Sequence, residues 1–360
     1  MRRFAFLLFT AFLLLSLASC FREAFNDVNT DYTDSSALID TEALATDTAD
    51  SITTDAPTTP PVTTAPVTTV PVTTVPVTTA PPVLSNDPVT VTYPISYFGY
   101  TYTGLPTLPS TEYTVADPYN SRGLDGERKP FSYGAAKNGA PHAITVNNQA
   151  RFDSYGTNGL AWDNKSGERV LYLTFDCGYK YGDLTERILD TLLEKEVRAA
   201  FFCTMPYLKT EPYEIARMIN EGHVVGNHSV NHPDCTTVSR ERLASELLGV
   251  HNYMRVNFGY TPEYFRFPTG AYSEDSLELV SSVGYKSVFW SVAYADWDPQ
   301  NQLGEEAAFS QVTSRLHPGA VILLHSTSPD NAAILSRVID YARAEGYEFR
   351  GLDEYPFWAE

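Results

Sequence analysis

The sequence predicts an α/β fold, a parallel sheet, open or closed into a barrel, with helices packed against it. Three observations carry that expectation. The apolar runs at residues 170–175, 199–203, 287–292 and 320–324 are short and continuous, as strands buried on both faces are. Between them lie stretches with helical spacing of apolar residues. In 183–194 Leu184, Ile188, Leu189, Leu192 and Leu193 share one side, and 212–221, 239–257, 275–283 and 331–344 follow. Gly222, Gly259, Gly284 and Gly346 come after four of these stretches and fit helix stops.

Ahead of this region the chain has a different character. Residues 1–20 begin with Arg2-Arg3, continue in an apolar run over 4–17 and end Leu17-Ala18-Ser19-Cys20, the pattern of an export signal. The apolar core is too short for a membrane span. The ending on Cys20 resembles the lipobox of bacterial lipoproteins, in which the Cys thiol is alkylated with diacylglycerol and becomes the first mature residue. An ordinary cleaved signal with a chance Cys is the plainer alternative. Lipidation of Cys20 would hold the protein outside the cytoplasm, at the outer face of the cytoplasmic membrane and facing the cell wall.

Residues 21–88 are expected to form a disordered Thr/Pro-rich tether. From Pro61 the unit Pro-Val-Thr-Thr-Ala/Val occurs four times, and a proline at every fifth position blocks helix while the spacers keep the chain extended. At about 3.1 Å per residue such a tether spans tens of Å. Residues 89–167, rich in Tyr, Gly, Pro and Asn, read as a loop-rich lead-in with one short strand near 89–93, packed on the main domain.

Composition narrows the function. With 360 residues, 43% of them hydrophobic, the chain can bury a sizeable core, and the apolar residues, sparse over 26–88 and dense from Arg169, point to one folded domain. A formal net charge of -19 excludes sequence-independent nucleic-acid binding, which needs Lys and Arg against phosphates. No Gly-rich phosphate loop precedes a helix, so no nucleotide cofactor is expected. Apart from Cys20 there are three cysteines, Cys177, Cys203 and Cys235, an odd number that implies no disulfide framework.

Polar and titratable residues gather where the predicted strands end, the place where a parallel α/β fold builds its site. Asp176-Cys177-Gly178-Tyr179 follows the first strand, and His228 to His232 follows Val224-Val225-Gly226-Asn227. Arg266-Phe267-Pro268-Thr269-Gly270, Asp296-Trp297 and Leu323-Leu324-His325 end the others. Two histidines four apart share a face if their segment is helical, and could then reach one metal. Amide hydrolysis needs an activated water, a base and an acid for the leaving amine, and these residue types supply all three.

These five segments, in this order over 168–352, resemble the NodB-homology domain of the polysaccharide deacetylases, carbohydrate esterase family 4. The resemblance implies a distorted (β/α) barrel that binds a divalent metal, usually zinc, and removes acetyl groups from N-acetylated sugars. By motif, Asp176 matches the catalytic base and His325 the general acid. Arg266 matches the residue that orients the base, and Asp296 the one that holds the acid. His228 and His232 match metal ligands, while Leu323, Trp297, Pro268 and Tyr179 match positions lining the substrate pocket. Cys177 stands where most of the family has a second Asp, and is either a third, thiolate ligand or an inert replacement.

Within the family the likeness is greatest to the muramic-acid de-N-acetylases that prepare δ-lactam in spore cortex peptidoglycan. It is carried by Tyr172-Leu173-Thr174-Phe175-Asp176, Glu221-Gly222-His223, Phe289-Trp290-Ser291-Val292-Ala293, residues 319–325 and Asp330-Asn331-Ala332. Thr269 departs from members that carry an Arg in this segment to pair with the lactyl carboxylate. The expectation is a hydrolase of N-acetylmuramic acid units. Deacetylation of N-acetylglucosamine, chitin-like glycans or O-acetylated xylan is the alternative, and a catalytically silent, lipid-tethered glycan-binding protein is the alternative of another class.

Overall fold

The structure, a computed structural model, describes residues 85–92, 111–131 and 134–358, all within a unit spanning 78–360. The expected signal at 1–20, with Cys20, lies outside the described residues. Of the tether expected over 21–88 only 85–88 are described, without helix or strand.

The lead-in contributes β1 (Val89–Val91), β2 (Tyr113–Val115), α1 (Ala143–Tyr155) and β3 (Gly159–Leu160). The main domain follows with β4 (Val170–Cys177), α2 (Leu184–Glu194), β5 (Ala200–Cys203), α3 (Met205–Thr210), α4 (Pro212–Asn220) and β6 (Val224–Asn227). Next come α5 (Arg240–Phe258), β7 (Tyr264–Phe265), α6 (Glu274–Ser282), β8 (Lys286–Val288), α7 (Glu305–Thr313), β9 (Ala320–His325), α8 (Pro329–Ala344) and β10 (Glu348–Phe349).

The main sheet is parallel, in the order β10-β4-β5-β6-β7-β8-β3, and β9 pairs with β4. It curls into a distorted (β/α) barrel. Beyond β8 the chain changes partner: Phe289 N–H donates to Leu160 O, but Ser291 and Val292 donate to Val321 O, and Val292 O accepts from Leu323. One parallel bridge, Val292 to Ile322, thereby joins the β8 side to β9. The strand expected over 287–292 is therefore regular only to Val288, because its second half closes the ring rather than lengthening the ladder.

All eight residues of β4 are buried, and alternation divides them. Leu171, Leu173, Phe175 and Cys177 join the core beneath the helices, together with Ile188, Leu189 and Leu192 of α2 and Ile334, Leu335 and Val338 of α8. Val170 and Tyr172 point the other way, into the barrel, with Phe202 and Val321. Truncating one of these buried leucines to Ala costs about 2–5 kcal/mol. Local signals set the helix ends. The Ser239 side chain caps α5 by accepting from Arg242 N, Gly259 ends it at φ 63°, and Ser273 and Ser276 form a reciprocal capping box on α6.

The lead-in, expected to be ordered but loop-rich, holds more regular structure than that. The strand expected near 89–93 forms as β1 and pairs antiparallel with β2, but a 13-residue helix and a strand of the main sheet follow. Among the described residues no helix is long and apolar enough to cross a membrane.

Candidate active site

Asp176 and His325 end neighbouring parallel strands and are register partners. Their side chains share the barrel-facing side, since Thr174 and Leu323 precede them by two residues. Asp176 is buried, and its Oδ1 accepts from Nη1 of Arg266 at 2.8 Å. Arg266 is fully buried, stacks on Phe202 with its guanidinium carbon 4.2 Å from the ring centroid, and donates to the carbonyls of Val288 and Phe289 at 3.1 and 3.2 Å. Three partners fix the guanidinium, so the carboxylate meets a charge that cannot swing away.

Burial pushes the Asp176 carboxyl up, but Arg266 first and then His228 and His325 outweigh it, leaving the group below the usual carboxylate range. Asp176 is a carboxylate at neutral pH. His325 is displaced in the opposite sense. Burial lowers its imidazolium, yet Asp296, 1% exposed and 2.7 Å from Nδ1, raises it above the ordinary value. Asp296 Oδ2 also accepts from the backbone N–H of His325 at 2.8 Å and from Asn331 Nδ2 at 2.6 Å, so the carboxylate is held on three sides.

His228 and His232 do not share a helix. The stretch between them is irregular, with Ser229 at φ 70° and His232 at φ 54°, and this turn brings the rings to 4.9 Å between centroids. Thr269, beside Pro268, is likewise at φ 58°. Left-handed backbone at three non-glycine residues near one site is held against its own preference by the surroundings. Glu246 supplies much of that hold on the histidine turn: buried on α5, it accepts from Val230 N, Asn231 N and Asn231 Nδ2 at 2.9, 2.7 and 2.8 Å. Neither Glu246 nor Asn331 was assigned a role from the sequence. Glu246 looks there like any acid on an amphipathic helix, whereas Asn331 lies in the Asp330-Asn331-Ala332 stretch that carried the family likeness.

Burial lowers His228 to about 4 despite the opposing pull of Asp176, and desolvation lowers His232 as well, so both are neutral imidazoles at neutral pH. The Nδ1 of His228 lies 2.8 Å from Arg266 O; a carbonyl only accepts, so Nδ1 carries the hydrogen and Nε2 the lone pair. That Nε2 stands 3.6 Å from Asp176 Oδ2.

The other predicted positions divide. Leu323 is buried on the face of β9 that carries His325, and Pro268 is buried in a short 3-10 turn. Trp297 is exposed, with its ring centroid 6.3 Å from that of His325, and Tyr179 is also exposed. Cys177 does not join them. It points away from Asp176 into the core under the helices with Cys203, and in this arrangement its sulfur is no partner for His228 and His232.

A parallel (β/α) barrel whose strand ends pair a carboxylate with an arginine and a histidine with a second carboxylate is the frame of a hydrolase with a separate base and acid. The polysaccharide deacetylase family model matches residues 163–288. The chain is 40% identical over 194 residues to the peptidoglycan-N-acetylmuramic acid deacetylase PdaA of Bacillus subtilis, covering 54% of this chain and 73% of that protein. It is 43% identical over 188 residues to an uncharacterized 30.6 kDa protein of Geobacillus stearothermophilus, covering 52% of this chain and 71% of the relative. The solved structure of Bacillus subtilis PdaA, a family 4 carbohydrate esterase, superposes with a TM-score of 0.60 at 35% identity, covering 64% of this chain and 98% of that one. The chain belongs to the polysaccharide deacetylase family and is a de-N-acetylase hydrolase.

The residues present suit the divalent metal that this family implies. Among the described residues no group of three or more His, Cys, Asp or Glu side chains is arranged to hold a metal ion. Two neutral imidazoles are nevertheless on hand, and the lone pair of His228 Nε2 faces a carboxylate oxygen with no hydrogen between them, a juxtaposition that a cation relieves.

Proposed function

We propose that this chain is a divalent-metal-dependent hydrolase that removes N-acetyl groups from peptidoglycan strands, with N-acetylmuramic acid as its preferred sugar, as in formation of spore-cortex muramic δ-lactam. The observation that carries the chemistry is the opposed tuning of register partners, with Asp176 held as a base by Arg266 and His325 held as an acid by Asp296. Kinship with the Bacillus subtilis muramic acid deacetylase supports the sugar. His228 and His232 would hold the metal, zinc by their donor type. When bound, such a cation supplies Lewis acidity toward the acetyl carbonyl and acidifies water.

Asp176 removes a proton from the attacking water, and Arg266 keeps its carboxylate oriented and ionised. His325, protonated and fixed through Nδ1–H to Asp296, delivers its Nε2 proton to the amide nitrogen as the C–N bond breaks. Acetate and a free sugar amine result. The apolar Leu323 and Trp297 flank this acid and suit the acetyl methyl. The lipobox-like ending on Cys20 and the Thr/Pro-rich stretch after it support a location outside the membrane, lipid-anchored and facing the wall.

A second reading has one observation in its favour. Thr269 is uncharged and supplies no cation for a lactyl carboxylate, which favours N-acetylglucosamine. Product analysis after treating amidase-stripped peptidoglycan separates the two. Muramic δ-lactam supports the first reading, and glucosamine without muramic δ-lactam overturns it.

A further inference from the structure

Behind the pair of Asp296 and His325 lie two buried polar side chains that the mechanism does not use, Tyr294 at 5% and Asn331 at 0% exposure. Asn331 stands in the first turn of α8, where its backbone N–H donates to the capping hydroxyl of Ser328 at 3.1 Å. Its side chain has no spare hydrogen. Nδ2 gives one to Asp296 Oδ2 at 2.6 Å and the other to the His325 carbonyl at 3.1 Å, while Oδ1 accepts from the Tyr294 hydroxyl at 2.6 Å. The surroundings are braced as well: Ser328 Oγ donates to Gln302 Oε1 at 2.5 Å, and Gln302 Nε2 donates to Asp296 O at 3.1 Å.

These partners fix which way the amide faces. A carboxylate and a carbonyl only accept, so both need the NH2 end. Burial and then Asp296 raise the Tyr294 hydroxyl, which keeps its hydrogen and gives it to the amide oxygen. A flipped amide would set Oδ1 against the Asp296 carboxylate and leave the hydroxyl facing a donor. A third N–H on Asp296 then does two things. It stops the carboxylate turning, so that Oδ1 stays on the line to His325 Nδ1, and it draws negative charge toward Oδ2, leaving less at Oδ1 to hold the imidazolium. The other charged or titratable groups facing His325 are Asp176 on β4, Arg266 after β7 and His232 after β6, and Asp330 beside Asn331 is engaged by Gly304 N at 2.7 Å. A change at Asn331 reaches the imidazole through Asp296 or through the carbonyl of His325 itself.

We propose that Asn331, oriented by Tyr294, is a positioning residue of the deacetylation: it fixes the Asp296 carboxylate and draws off part of its charge, so that His325 is held in place yet releases its proton to the leaving nitrogen. The proposal rests on the acid role of His325 and deepens it.

The test titrates the His325 ring by NMR in the full chain and follows acetate release against pH, in wild type, Asn331→Leu, Tyr294→Phe and the double variant. Without the Asn331 donor Asp296 holds the imidazolium more strongly. The His325 midpoint in Asn331→Leu is expected to rise by about half to one pH unit, the sense opposite to that of Asp296→Asn, and the alkaline limb of activity moves with it. Both side chains are buried away from substrate, so kcat falls about three- to tenfold while KM stays within about twofold. Tyr294→Phe moves the midpoint the same way by a smaller amount, and the double variant does no worse than Asn331→Leu alone, because Tyr294 acts through Asn331. A midpoint that stays or falls in folded Asn331→Leu, or losses that multiply in the double variant, overturns the proposal. Should Asn331→Leu fail to fold, Tyr294→Phe decides: a raised midpoint supports the coupling and an unchanged one overturns it. A raised midpoint in a chain whose wild type releases no acetate supports the coupling to His325 and refutes the hydrolase.

Discussion

Asp296→Asn removes one charge and keeps the shape, and the structure specifies its consequence. Asp296 Oδ2 accepts two N–H groups, from His325 and Asn331, so the asparagine oxygen settles there and its NH2 turns toward His325 Nδ1. A donor then faces a donor. His325 must give up the Nδ1 hydrogen, and the imidazolium form is lost from the working pH range. A charge-assisted hydrogen bond of this kind is worth roughly 1.5–3 kcal/mol, which lowers the imidazolium pKa by about one to two pH units. The acid form is present below that pKa, so activity falls as pH rises through it, and the mutation moves this alkaline limb downward. The turnover number at neutral pH is expected to drop roughly 10- to 100-fold, in step with the lost acid form. The assay is acetate release against pH, with NMR titration of the His325 ring. An unchanged alkaline limb and a turnover within about threefold of wild type would refute the assignment of His325 and Asp296 as acid and positioning residue.

Arg266→Met leaves Asp176 buried beside an apolar chain, costing about 3–5 kcal/mol in denaturant unfolding and moving the acid limb of kcat/KM to higher pH, because the carboxyl loses the foremost group opposing burial. Cys177→Ala costs about 1–2 kcal/mol through core packing and leaves metal content and turnover within about twofold; loss of metal would contradict the placement of this sulfur. His223, buried and lowered to about 4 by its surroundings, binds its proton less readily folded than unfolded. Its neutral form therefore favours folding above pH 6.5, and that contribution, up to about 3 kcal/mol, is lost as pH falls toward 4. His223→Gln is expected to flatten the unfolding free energy against pH over this window.

Strands and helices that bury apolar faces were legible, and the sequence placed β4, β5, β9 and five helices close to their observed ends. Helix α1 was not, because apart from Phe152 what it buries is polar: Gln149 donates to Gly159 O and accepts from Ala161 N, so the helix docks on β3 largely through hydrogen bonds that leave no apolar stripe. Helix α7 buries only Ala308 and Val312, too few for a pattern. At the site, strand ends told which residues meet but not how. Helical spacing suggested a shared face for His228 and His232, whereas positive φ at Ser229 and His232, braced by Glu246, does the work. The placement of Cys177 follows from strand alternation alone, since it is one residue from Asp176 and so faces the other way.

The most direct test of the account compares wild type with Asp176→Asn for acetate release from amidase-stripped peptidoglycan at a fixed divalent metal concentration. Steady release by wild type that falls at least about 100-fold in the variant, with both proteins folded, is the predicted result. Equal release by the two would contradict the assignment of Asp176 as the base around which the site is arranged.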